Sequence, residues 1–528
     1  MNQQFFPDLS KFRLTDGSYN LVGGKSLLDK IANLDQMTRL IADGNSGLTD
    51  VEISQLNPIE LDISDNPNIT NLNHMTKLTK LTAQGNRCGL TDEGIKRLNL
   101  KELDASNNTK ITDVNHMTKL EKLRAVGVSG ISDSGIMQIN LVELNASYNP
   151  KISDVNHMTK LEKLRAVGIS GINDGGIRHV NLLELDGSDN PNITNLNHMT
   201  KLTKLTAAGF SGINDSGIRH VNLLELDGSY NSNITNLNHM TKLTKLNAAC
   251  FSGINNSGIR HVNLLELDIS HNPNITNLNH MTELTKLTAQ GDQCGLTDEG
   301  IKRLNLKELD ASNNAKITDV NHMTKLEKLR AVGVSGISDS GIMQINLVEL
   351  NASYNPKISD VNHMTKLKKL HAVGVSGIND SGIRHVNLLE LDGSDNPKIS
   401  DVNHIIKLKK LHAAGISGIN DNGILHVNLL ELDGSDNPNI TNVNHMTKLT
   451  KLTAAGISGI NDSGIIHVNL LELDGSDNPK ISDVNHMSKL EKLHAVGVSG
   501  ISDSGIRDVN LLELDASYNP KITKGTPL

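Results

Sequence analysis

NLKELDASNNTKITDVNHMTKLEKLRAVGVSGISDSGIMQI, residues 99–139, is a 41-residue stretch whose near-copies fill almost the whole 528-residue chain. Its marker Asn-His recurs at His74, His116, His157, His198, His239, His280, His322, His363, His404, His445 and His486. The steps are 41 residues, with two of 42 where a residue enters at 86–88 and at 292–294. A fixed period of this length means stacked structural repeats. Each unit divides into two coils, beginning at Leu100 and Leu120. Both open with Leu-x-x-Leu-x-small, a period-two strand whose apolar residues share one face. With about 23 coils spaced roughly 4.8 Å apart, the stack is expected to be on the order of 110 Å long and gently bent.

After the strand, every first coil carries an Asn (Asn66, Asn108, Asn149 and so on to Asn519). Buried there, it can satisfy backbone donors and acceptors left open at the turn. Second coils place Val128, Ile169, Phe210, Phe251, Val334, Val375, Ile416, Ile457 or Val498 at that point, so the asparagine ladder is expected on alternate coils only. Ile111, Val114 and Met117 are expected to close the core on the return run. After a strand of five to six residues, coils this short leave room only for extended or single-turn 3₁₀ segments on the outer side.

The pattern Leu-x-x-Leu-x-x-x-x-Asn resembles the leucine-rich repeat family over about residues 37–522. The segment Ile111-Thr112-Asp113-Val114 followed by Leu120-Glu121-Lys122-Leu123 is similar to internalin-like short repeats. Residues Gly130 to Ile136 of the second coil resemble repeats of ribonuclease-inhibitor-like and F-box-associated proteins. The resemblance implies a strand-dominated solenoid of the α/β class, an arc with a parallel concave sheet that binds a protein partner. Residues 1–36 read as an N-terminal cap with a helix near 25–34, residues 37–522 as the solenoid and 523–528 as a tail. The segment Phe6-Pro7-Asp8-Leu9 resembles an F-box opening, which makes a substrate-recognition adaptor of a ubiquitin ligase the alternative function.

Composition narrows the classes further. No Trp and five Phe leave the burial to aliphatic side chains, and a net charge of −8 gives no reason to expect nucleic acid. Three cysteines without disulfide spacing fit reducing surroundings. The first residues lack a basic start and an apolar run, and no segment approaches the ~20 apolar residues that span a bilayer. A cytoplasmic protein without a membrane partner is therefore expected, and delivery into a host cell is compatible with the same features. Equivalent histidines two coils apart lie about 10 Å from one another, too far to share a zinc ion. Every Ser, His or Asp combination recurs about ten times, whereas catalytic sites are singular. No enzyme, metal or cofactor is expected.

The strand faces carry the candidate site. The outward residue before the second Leu is Glu in first coils (Glu60, Glu102, Glu143 and onward) and Lys in second coils (Lys80, Lys122, Lys163 and onward). Acid and base thus alternate between neighbouring parallel strands. The next outward row alternates Asp (Asn at 145 and 351) with variable residues, among them Arg124, Arg165, Arg330, His371, His412 and His494. Variation on a rigid face is where a partner is read, and Tyr148, Tyr230 and Tyr354 beside the ladder Asn are candidate anchors. The strand 511–516 has no following coil, so the C-terminal coil is expected to be either frayed or open to edge-to-edge self-association.

Overall fold

The structure, a computed structural model, describes residues 18–20, 38–44 and 46–523. The cap helix expected near 25–34 and the F-box-like segment lie outside the described residues. The chain forms two compact units that meet in sequence between Leu264 and Leu265. Each unit is a stack of coils whose strands pair in parallel with their sequence neighbours. The first runs from Ser18–Asn20 to Lys245–Asn247 and the second from Glu266–Asp268 to Glu513–Asp515. Strand Ser18–Asn20 pairs with Arg39–Ile41, so the ladder takes in a strand of the segment read as a cap.

The strands follow from Leu-x-x-Leu, but each is three residues long rather than five to six. Hydrogen bonds continue beyond both ends of each bridge. Between the coils of Glu102–Asp104 and Lys122–Arg124, Glu121 N donates to Lys101 O at 2.9 Å and Asn107 N to Val126 O at 2.9 Å. What stops the regular strand is a left-handed residue just past it, Asn107 at φ 56° or Gly127 at φ 70°. That conformation turns the chain out of the sheet. Inward of the strands, Ile111, Val114, Met117, Ile131 and Ile136 are fully buried, as the spacing requires.

Within each unit, polar side chains stitch the described coils together. Asn149 is fully buried; its Nδ2 donates to Ala125 O at 2.9 Å and Ile131 O at 3.1 Å, and its Oδ1 accepts from Lys151 N at 2.9 Å. Within each unit the ladder therefore ties first coils back to the second coil before them, on alternate coils as expected. Asp133 reinforces the same joint, accepting from Ser153 N at 2.7 Å and Ser153 Oγ at 2.6 Å. The opposite joint, first coil to following second coil, is made by Asn115, which donates to Ser134 O at 2.7 Å and accepts from Gln138 N at 2.8 Å. His116 Nε2 lies 3.0 Å from Ile95 O; a carbonyl can only accept, so Nε2 carries the proton. Repetition of the marker His is thus explained by coil stacking.

The outer side is a single helical turn in many second coils, α-type at Asp133–Ile136 and 3₁₀-type at Asp380–Ile383. Within the first of these, Gly135 approaches the preceding coil so closely that a Cβ would stand 2.0 Å from Thr112 O. Only glycine permits that contact.

Candidate functional site

The exposed strand face of each unit is a grid of charge fixed by the register. Glu102 aligns with Lys80 and Lys122, and its carboxylate lies 3.6 Å and 3.2 Å from their ammonium groups. Lys163–Glu184, Lys369–Glu390 and Lys410–Glu431 close at 2.9, 2.9 and 2.8 Å. The ammonium of Lys369 holds the Glu390 carboxyl below its usual range, chiefly through their hydrogen bond. These pairs are mostly half-exposed, worth at most about 1 kcal/mol each, and they prevent like charges from facing one another.

The second outward row holds the variable residues. Arg124 Nε pairs with Asp104 Oδ2 at 3.0 Å. Arg165 stands in register between Asn145 and Asp186, and Arg330 between Asp310 and Asn351. Each of these two lines a shallow depression. The first unit's, about 150 Å³, has Lys163, Glu184, Asp186 and Lys204 around Arg165. The second unit's, about 350 Å³, has Lys286, Gln290, Glu308, Asp310 and Lys328 around Arg330. Three coils of the second unit place His beside Asp in this row, His371 Nδ1 to Asp392 at 3.5 Å, His412 to Asp433 at 3.6 Å and His494 to Asp515 at 3.9 Å, while Thr or Asn fills it in others.

A hydrogen bond with Asp433 raises the affinity of His412 for its proton, and burial offsets only part of this. Burial pushes Asp433 up, but hydrogen bonds from His412 and Ser435 outweigh it and leave the carboxyl below its ordinary value. The signs fix the pH dependence. His412 contributes stability that is fully present below its unfolded pKa of about 6.5 and is lost as pH rises through its higher folded value. Asp433 contributes above about 3.9, and that part is lost as pH falls through its lowered folded value. His412→Asn is therefore expected to lower the melting temperature most near pH 5–6 and to have little effect well above neutrality, as measured by thermal melts across pH. An unchanged difference across that window would remove the ion pair from the account.

The tyrosines do not sit on the strand face. Tyr148, Tyr230 and Tyr354 occupy the left-handed turn residue, at φ 57°, 57° and 58°, and are about half-exposed. The ring of Tyr148 covers Gly168, whose added Cβ would stand 2.3 Å from Tyr148 Cε1. Tyr354 covers Gly374 in the same way. A hydrogen bond with Cys250 pushes the Tyr230 phenol up. The second-coil residues at the missing Asn are exposed, Val128 at 63% and Phe210 at 89%. The following Ser129 turns inward in their place, with its Oγ accepting from Ile131 N. Buried Cys88 replaces that serine in the longer coil, and its burial raises the thiol's pKa.

Among the described residues, no cluster of three or more His, Cys, Asp or Glu could hold a metal ion. Nor is any described helix long and apolar enough to cross a membrane. No protein-family model matches the chain, and no curated protein matches it. Among solved structures, a TLR13–ssRNA13 complex is 18% identical with a TM-score of 0.57, over 92% of this chain and 80% of that one. InlJ from Listeria monocytogenes is 21% identical with a TM-score of 0.23, over 85% of this chain and 70% of that one. Parallel strands, coils of about 21 residues and a buried Asn per double coil define a parallel solenoid. More particularly, the chain has the leucine-rich-repeat fold.

Proposed function

We propose that this protein is a non-enzymatic interaction scaffold whose strand face binds a protein partner. The observation that carries this reading is the second outward row. Its residues differ from coil to coil on a backbone that does not, and Arg165 and Arg330 line open depressions without an ion pair among the described residues. A guanidinium held on a rigid strand suits a carboxylate offered by a partner. The histidines His371, His412 and His494 extend the same row through the second unit.

Joint reversal of Arg124, Arg165 and Arg330 to Glu tests the proposal. Quantitative affinity capture with the intact chain and the triple variant is expected to show partners whose recovery falls at least about tenfold, with the melting profile unchanged; a few desolvated charge contacts are worth that much. Recovery of the same proteins in the same amounts would move binding off this face.

A further inference from the structure

Three successive second coils of the first unit carry cations without an ion-pair partner among the described residues. Arg178, Arg219 and Arg260 are exposed on the return run, each just after a buried isoleucine. The equivalent residues Lys96 and Lys302 pair at 2.6 Å with Glu93 and Glu299, three residues earlier. In the three Arg coils that earlier position holds Gly175, Ser216 and Ser257. Lys201 and Lys242, exposed on the intervening first coils, have no carboxylate within ion-pair distance among the described residues either, and nor do the three arginines.

Acids have also left the first coils of this stretch. Asn195 and Asn236 stand where Asp113, Asp154, Asp319, Asp360, Asp401 and Asp483 stand in other coils, and they share this with Asn71, Asn277 and Asn442. The two carboxylates that remain on the return run are engaged. Asp174 accepts from Thr194 N at 2.7 Å and Thr194 Oγ1 at 2.5 Å, and Asp215 accepts from Thr235 in the same way. The result is a local block of positive charge on a chain whose net charge is −8.

We propose that residues 171–262 form a second docking surface, on the return side, for the acidic face of a helix of a partner protein. Equivalent arginines recur every two coils, about 10 Å. Acidic residues seven apart on a helix recur every ~10.5 Å, a difference that long side chains absorb. The lysines fall between the arginines along the stack, where acids three or four positions on would meet them. The large exposed apolar residues of this stretch, Phe210, Leu224, Tyr230 and Phe251, flank the strands instead. The return side thus offers only His179, His220 and His261 as rings, without the Phe, Tyr or Trp platforms on which single-stranded nucleic acid stacks best, and it lacks the apolar anchors of a membrane-lying surface. This surface is separate from the strand face and does not depend on it.

The test is fluorescence anisotropy of a three-heptad helical peptide with Glu at the a and d positions, titrated with the full chain. The peptide is expected to bind, with affinity at least about tenfold weaker for the triple variant Arg178→Glu, Arg219→Glu, Arg260→Glu and intermediate for the corresponding Gln variant, both checked for an unchanged melting profile. A strand-face control, Lys122→Glu with Lys163→Glu, is expected to leave the affinity unchanged within about twofold. Absence of peptide binding, equal affinity in the triple variants, or tighter binding of single-stranded DNA or phosphatidylserine vesicles than of the peptide would each overturn the proposal.

Discussion

Leu226→Asp is expected to break the first unit in the middle of its stack. Leu226 is 2% exposed and pairs in register with Leu205 and Leu246, which are as buried. The substitution removes an aliphatic side chain from a close-packed row and puts a carboxylate where no donor is available. The two effects together should cost about 4 kcal/mol or more. For a unit of this size, the melting temperature should fall by roughly 10 °C. Contacts run only between neighbouring coils, so proteolysis should begin at the coils flanking 226. An unchanged melt would mean that the inward face of the strands has been misassigned.

Asn190→Ala comes second in size and tests the ladder. Its Nδ2 donates to Ala166 O at 2.9 Å and Ile172 O at 3.1 Å, and its Oδ1 accepts from Asn192 N at 2.9 Å, all from a fully buried position. Alanine leaves two carbonyls in the joint without that donor, and the expected loss is about 2–4 kcal/mol. Asn195→Ala, at an exposed Asn that accepts from Asn197 N at 3.1 Å, should cost less than about 1 kcal/mol. Urea titrations of the two variants give the comparison directly. Equal effects would deny the buried ladder its role.

Much of this was legible from residues alone because a repeat displays each position many times. Leu-x-x-Leu fixes the inward face, and the Asn that follows can only be buried usefully by reaching the previous coil. Two features needed three dimensions. The second-coil turn looked like an Asn position filled by Val128 or Phe210, yet Ser129 goes inward and the apolar residue goes out. Counting from the strand does not reveal which of two adjacent residues the turn buries. The return-side arginines also stand in the sequence, but only the structure shows Lys96 paired with Glu93 at 2.6 Å and the arginines without such a pair among the described residues. The strands came out shorter than expected for a related reason: the left-handed residue just past the bridge ends the pleat while its hydrogen bonds persist.

The depressions at Arg165 and Arg330 and the charge grid around them give the strand face its claim to the partner. Footprinting with an amine-reactive reagent, read by mass spectrometry on the chain alone and in complex with a captured partner, tests that claim most directly. Protection is expected at Lys122, Lys163, Lys328 and Lys369 on the strands, with Lys119, Lys325 and Lys366 on the return run as reactive as in the free chain. Unchanged strand lysines with protected Lys119, Lys325 and Lys366 would contradict the account.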